Sequence, residues 1–198
     1  MSGQVVLVVA QAQDGTADLV ADALLAREAD VARIDTADFP GSLSIAATPE
    51  RIDSPGWLRC RGRRIDLASV HSVYRRQPAQ FVFPAGMSAP EQRFATLEST
   101  YGLGGVLSAQ PWRWIDHPAM VADAAYKPRQ LRVAAQSGLN VPRSLVTNVG
   151  AQAREFASEA QGLVYKSLST GVIAEGCGSS AVSAEGCVTC GFARVLSV

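Results

Sequence analysis

Residues 5–10 read VVLVVA, an apolar run with no polar side chain to mark an outward face. A strand with one wet face alternates apolar and polar residues, so an unbroken run requires burial on both faces. That is the setting of a parallel sheet covered by helices. Asp14 or Thr16 then caps a helix expected to reach about Arg27, with Leu19, Val20, Ala23 and Leu24 turned inward. Residues 31–34 form the next strand and end at Asp35. Strand, helix and strand in this order make a βαβ unit with a right-handed crossover. The spacing therefore predicts an α/β fold on a mainly parallel sheet, with Val5–Ala10 central.

The loop after the first strand, AQAQDGTADL, lacks G-x-G-x-x-G, and no P-loop pattern occurs anywhere. Without those glycines Asp35 reads as a loop or cap aspartate rather than a ribose ligand. Residues 43–47 and 57–61 are short strands separated by Pro49, Pro55 and Gly56, which predicts a hairpin or edge pair. Residues 70–75 form another buried strand, closing on Arg75 and Arg76. Adjacent strand residues point to opposite faces, so at most one of these arginines faces a given cleft. Ser88-Ala89-Pro90-Glu91 is a capping box with proline in the first turn, a cap worth about 1 kcal/mol. Phe94, Leu97 and Tyr101 are expected to continue the apolar stripe of that helix, and GLGG at 102–105 to weaken it or permit close packing. Residues 112–116 return as a strand broken by His117-Pro118.

Residues 123–167 repeat a helix–strand–helix–strand order with a lysine near each end. Lys127 opens a helix with Pro128 at its first turn, Leu131, Ala134 and Ala135 on one face, and Gly138 as the left-handed stop. A strand over 141–146 precedes a helix capped by Thr147 or Asn148, with Ala153, Phe156, Ala157 and Ala160 inward. Residues 163–167 form a strand carrying Lys166. An isolated lysine in either setting is ordinarily a solvated charge.

Composition excludes several classes. With 47% hydrophobic and 18% charged residues, a packed core is expected. Acidic and basic residues balance at 18 each, so no net field draws the chain to nucleic acid or an anionic membrane. No apolar run approaches the roughly 20 residues that span a bilayer, and the N-terminus lacks a signal peptide's basic flank. A cytoplasmic protein is the default. Cys60 reads as a small buried residue. Cys177, Cys187 and Cys190 crowd the tail, but C-x-x-C without a second ligand pair falls short of a zinc site, leaving a metal or redox role for them the weakest reading. No Ser/His/Asp arrangement is visible, and no catalytic residue is assigned.

The run YKPRQLRVAAQSGLNVPRSLVTN, followed by LVYKS, resembles the opening of an ATP-grasp domain. More narrowly it resembles the ATP-grasp ribosomal peptide maturases, or graspetide synthetases, of the microviridin-ligase type. SVYRRQP, MSAPEQRFATLESTYGLGGVL and WIDHP extend the likeness from the N-terminus to about residue 175, although Ser167 stands where the family commonly has proline. The resemblance implies a pre-ATP-grasp α/β domain over residues 1–118, a partial ATP-grasp α+β central domain over 119–175, and an irregular tail over 176–198. It implies ATP and Mg²⁺ as cofactors, with Lys127 and Lys166 as the nucleotide-binding residues. The partner it implies is a ribosomal precursor peptide held by its leader, with a homodimer allowed and neither nucleic acid nor membrane. The activity implied is formation of macrocyclic ester or amide links through an acyl phosphate. After Lys166 the acids are Glu175 and Glu185, with no asparagine, whereas the family's Mg²⁺ ligands are carboxylates and an asparagine on later strands. The expectation is a truncated family member, with no metal ligand assigned and ATP binding no tighter than about millimolar. The alternative is a non-catalytic peptide-binding remnant that keeps the pre-ATP-grasp domain.

Overall fold

The computed structural model describes residues 4–52, 55–159, 163–166, 168, 172–175, 178–181 and 193–197. The chain divides into two compact units, Met1–Met120 and Val121–Val198.

In the first unit β1 (Val5–Ala10) is central. It pairs in parallel with β2 (Asp30–Ile34) on one side and β6 (Val70–Arg76) on the other. β7 (Arg113–Ile115) extends the sheet beyond β6, again parallel, giving the order β2-β1-β6-β7. The apolar run is buried on both faces, as its composition requires. Val5, Leu7 and Val9 join one core with Ile34, Val73 and Leu103, while Val8 and Ala10 join a second with Ala17. Each buried Val, Leu or Ile among them contributes about 1.5–3 kcal/mol relative to exposure.

The helix α1 (Gly15–Leu25) covers the second face. Its inward residues are Ala17, Val20, Ala21 and Leu24. Leu19, expected inward, is 71% exposed, and Ala23 is also exposed. Ala17 lets the helix approach β1 closely, and that contact fixes which face turns in.

The first face is covered by an antiparallel meander and a long helix. β3 (Leu43–Ala47) and β4 (Gly56–Cys60) form the expected hairpin, and β5 (Arg63–Asp66) adds a third strand. Leu43, Leu58, Ile65 and Leu67 bring this layer into the main core. Burial, with the Asp38 carboxylate beside it, raises the Cys60 thiol above its ordinary range. α2 (Ala89–Ser108) begins at the expected capping box, Ser88 N donating to Glu91 Oε2 at 2.7 Å. Its buried face is Ser99, Leu103 and Leu107. The anticipated stripe is exposed, at 66% for Phe94, 54% for Leu97 and 76% for Tyr101. The helix runs unbroken through its glycines, and a Cβ added at Gly102, Gly104 or Gly105 would meet nothing within 4 Å. They therefore serve no close approach.

α3 (Pro118–Ala124) follows β7 and contains the division between units. In the second unit α4 (Lys127–Gln136) leads to β8 (Ser144–Thr147), α5 (Gly150–Ser158) and β9 (Leu163–Lys166). Gly138 takes φ +77 and closes α4, Leu139 N donating to Ala134 O at 3.0 Å. Leu131 and Ala134 are half-buried, while Ala135 is exposed. α5 carries no side-chain cap. Thr147 instead accepts from Val149 N at 3.0 Å and donates to Gln152. Phe156 is buried, Ala153 and Ala157 are half-buried beside it, and the Arg143 guanidinium lies 4.7 Å from the Phe156 ring centre. Ala160 lies outside the described residues.

β10 (Val172–Glu175) and β11 (Gly178–Ala181) form an antiparallel hairpin. β12 (Ala193–Ser197) lies between β8 and β9, antiparallel to both. β11 and β12 fall within residues 176–198, where the described residues are 178–181 and 193–197. A short central strand satisfies its amides on two neighbours, and that backbone pairing leaves no helical period in the hydropathy. Cys177, Cys187 and Cys190 lie outside the described residues. Among the described residues no helix is long and apolar enough to cross a membrane.

Candidate functional site

Strand order places a switch point at β1 and β6, because the chain leaves β1 toward β2 and later returns on the opposite side. Open parallel sheets bind ligands outside the carboxyl ends of their strands at such a point. A cavity of about 540 Å³ lies there, between the sheet and α2. Val9 from β1, Arg75 from β6 and Trp114 from β7 line its floor, and Thr96, Thr100 and Leu103 from α2 line a wall. Pro78–Phe81, the segment after β6, closes another side.

Two aspartates hold this end of the sheet. Asp35, 6% exposed, follows β2 and accepts from Ala12 N at 2.9 Å and from Ala37 N and Ala79 N at 3.2 Å. It is the cap and loop brace expected from the missing glycine fingerprint, and it ties the cavity wall at Ala79 to the first loop. Asp14 caps α1, its Oδ1 accepting from Ala17 N at 2.9 Å and from Arg76 Nε at 3.0 Å. Ala12 N is thus engaged by Asp35, Asp14 N by Gln11 O at 3.3 Å, and Ala17 N by Asp14. These amides are tied within the protein rather than presented as a phosphate cradle.

The Ala17 amide, ahead of Arg76, holds the Asp14 carboxyl below its ordinary range against the opposing effect of burial. This stabilisation is complete above the unfolded value of about 3.9 and is lost as pH falls through the lower folded value. Asp14→Asn is therefore expected to be less stable than the parent near neutral pH, with the gap closing below about pH 4. Urea midpoints across a pH series check this, and a gap independent of pH would count against it.

The paired arginines separate as the strand pleat demands. Arg76, aligned with Ala10, turns to Asp14, whereas Arg75, aligned with Val9, lines the cavity. Desolvation lowers the Arg75 pKa from its ordinary value. The described residues give the Arg75 side chain no hydrogen bond or ion pair. In the sequence Trp114 reads only as part of a strand and the α2 threonines carry no signal, because the cavity joins residues far apart in the chain.

Lys127 is the first residue of α4 and is half-buried; Lys166 is the last residue of β9, and its side chain lies outside the described residues. Both belong to the second unit. Among the described residues no group of three or more His, Cys, Asp or Glu is placed to hold a metal ion.

An open parallel sheet with its cavity at the strand carboxyl ends, followed along the chain by a helix–strand–helix–strand unit, defines an α/β protein. The model of the MvdD pre-ATP-grasp domain matches residues 5–122, and the chain belongs to that family. It is similar in structure to the macrocyclase MdnC of Microcystis aeruginosa MRC, solved with its precursor peptide MdnA. The TM-score is 0.83 at 26% identity, over 98% of this chain and 68% of that one. The macrocyclase MdnB of the same organism matches with a TM-score of 0.79 at 27% identity, over the same shares. A RiPP-associated ATP-grasp ligase of Chryseobacterium gregarium, solved with ADP and a leader and core peptide, shares the fold. Its TM-score is 0.84 at 17% identity, over 98% of this chain and 62% of that one. No curated protein matches the sequence.

Proposed function

We propose that this chain supplies the pre-ATP-grasp domain and the opening of the ATP-grasp fold of an ATP-dependent peptide ligase. Its substrate is a ribosomally made precursor peptide, recognised through its leader. A side-chain carboxylate of the peptide attacks the γ-phosphorus of ATP, releasing ADP and forming an acyl phosphate. A hydroxyl or amine of the same peptide then attacks the acyl carbon, loses its proton and expels phosphate, closing an ester or amide ring. Activation is required because an ionised carboxylate is a poor electrophile with a poor leaving group.

The likeness to MdnC along nearly the whole chain, at 26% identity, is the observation that carries this reading. Lys127 and Lys166 are assigned to the phosphates of ATP. Transfer of a phosphoryl group needs fixed positive charge around its oxygens, and the N-terminal end of α4 adds a partial charge of the same sign beside Lys127. The described residues do not assemble a Mg²⁺ ligand set, so no step is assigned to that ion.

Calorimetry with Mg·ATP tests the assignment. The 198-residue protein is expected to bind no more tightly than a Kd of about 1 mM, near −4 kcal/mol. Lys127→Ala and Lys166→Ala should each weaken this at least about tenfold, the loss of one charge-assisted contact. Binding that is unchanged in both variants would remove the lysines from the nucleotide site.

A further inference from the structure

The cavity of the first unit is chemically lopsided, and its imbalance identifies a ligand class. Arg75 lies on its floor without an acceptor among the described residues. The Nε1–H of Trp114, which lines the same cavity, is shielded from water and also lacks an acceptor. A buried donor is almost always paired, and the unpartnered Trp114 N–H beside the half-buried, unpaired Arg75 guanidinium leaves the cavity short of an acceptor that a ligand can bring. The α2 wall has the opposite character. Thr96 and Thr100 donate their hydroxyl protons at 2.7 Å to Gln92 O and Thr96 O of their own helix, leaving lone pairs to accept. Phe81, Leu103 and Leu107 supply apolar surface between these ends.

We propose that this cavity binds a peptide-like carboxylate: an anionic group for Arg75, an adjoining apolar side chain against Phe81, Leu103 and Leu107, and an amide N–H for the α2 threonines. The carboxylate is either that of an acidic side chain next to an apolar residue or that of a chain terminus. Burial already disfavours the charge on Arg75, and a carboxylate beside it restores the balance. The volume of about 540 Å³ suits one or two residues. Reaching the Trp114 N–H requires the indole to tilt toward the ligand. The proposal concerns the first unit alone and needs no nucleotide, so it stands or falls separately from the ligase reading.

The test is a ¹H–¹⁵N titration of the full chain without ATP, using three probes. N-acetyl-phenylalanine carries a terminal carboxylate, N-acetyl-aspartyl-phenylalanine amide carries a side-chain carboxylate, and N-acetyl-phenylalanine amide is neutral. The Trp112 indole N–H, which donates to Leu67 O at 3.2 Å, is the internal control. At least one acid is expected to shift the Trp114 indole resonance saturably, leave that of Trp112 in place, and bind at least about tenfold tighter than the neutral amide. The acid that wins identifies the source of the carboxylate. Arg75→Met should abolish the preference and Arg75→Lys keep part of it, with the Trp112 resonance reporting that each variant is folded. Equal affinity for acids and amide, no saturation by either acid, or a preference that survives Arg75→Met overturns the proposal.

Discussion

Asp35→Ala is expected to lower the free energy of unfolding by about 3 kcal/mol and to loosen the cavity wall at Ala79. One carboxylate, 6% exposed, accepts from three backbone amides in three separate segments: the loop after β1, the turn after β2 and the segment after β6. Removing it leaves three N–H groups without their acceptor in a crowded corner, where water replaces it incompletely. An ordinary domain has about 5–15 kcal/mol in total, so the loss is a large share. Asp35→Asn keeps one acceptor oxygen and should recover roughly half of the difference. Equilibrium denaturation measures both, and hydrogen exchange at Ala12 and Ala79 should accelerate far more than at Leu7. A substitution by alanine that costs no more than a surface change would show that these amides find other partners.

Gly56→Ala is the second large effect, and Gly62→Ala is its control. Both glycines have positive φ, +134 at Gly56 and +77 at Gly62. At Gly62 an added Cβ meets nothing within 4 Å, so the change should cost only the left-handed backbone penalty of about 1 kcal/mol. At Gly56 the Cβ would lie 2.1 Å from Ala46 O and 2.6 Å from Ala47 Cα. These are backbone atoms of the paired strand, with Ala47 directly opposite Gly56 in the β3–β4 register. Relief requires the strands to part at that end, and the expected cost is about 3 kcal/mol. Thermal or denaturant unfolding of the two variants should separate them clearly. Equal losses would mean that conformation alone, and not the close approach of β3, sets the effect.

Legibility in the sequence followed the range of the interaction. The continuous apolar run of β1 requires burial on both faces whatever surrounds it, so the central parallel strand could be read directly. The Ser88–Glu91 capping box, Gly138 and the alternation that separates Arg75 from Arg76 are equally local. Where two solutions satisfied the same local pattern, the reading went astray. α2 offers Phe94, Leu97 and Tyr101 on one side and Ser99, Leu103 and Leu107 on another. Hydropathy barely separates the two faces, and the core containing Trp112 and Val73 takes the second.

The sequence by itself determined the parallel sheet with Val5–Ala10 at its centre, the capped start of α2 and the glycine stop of α4, the division of Arg75 from Arg76 and the absence of a dinucleotide glycine loop. Each rests on steric and hydrogen-bonding rules that act within a few residues. Tertiary structure alone decided which faces of α1 and α2 are buried, that β12 lies between β8 and β9, and that Val9, Arg75, Thr96 and Trp114 share one cavity. Those outcomes depend on packing and strand pairing between segments tens of residues apart, where many partners satisfy the same local pattern and only the assembled core selects among them.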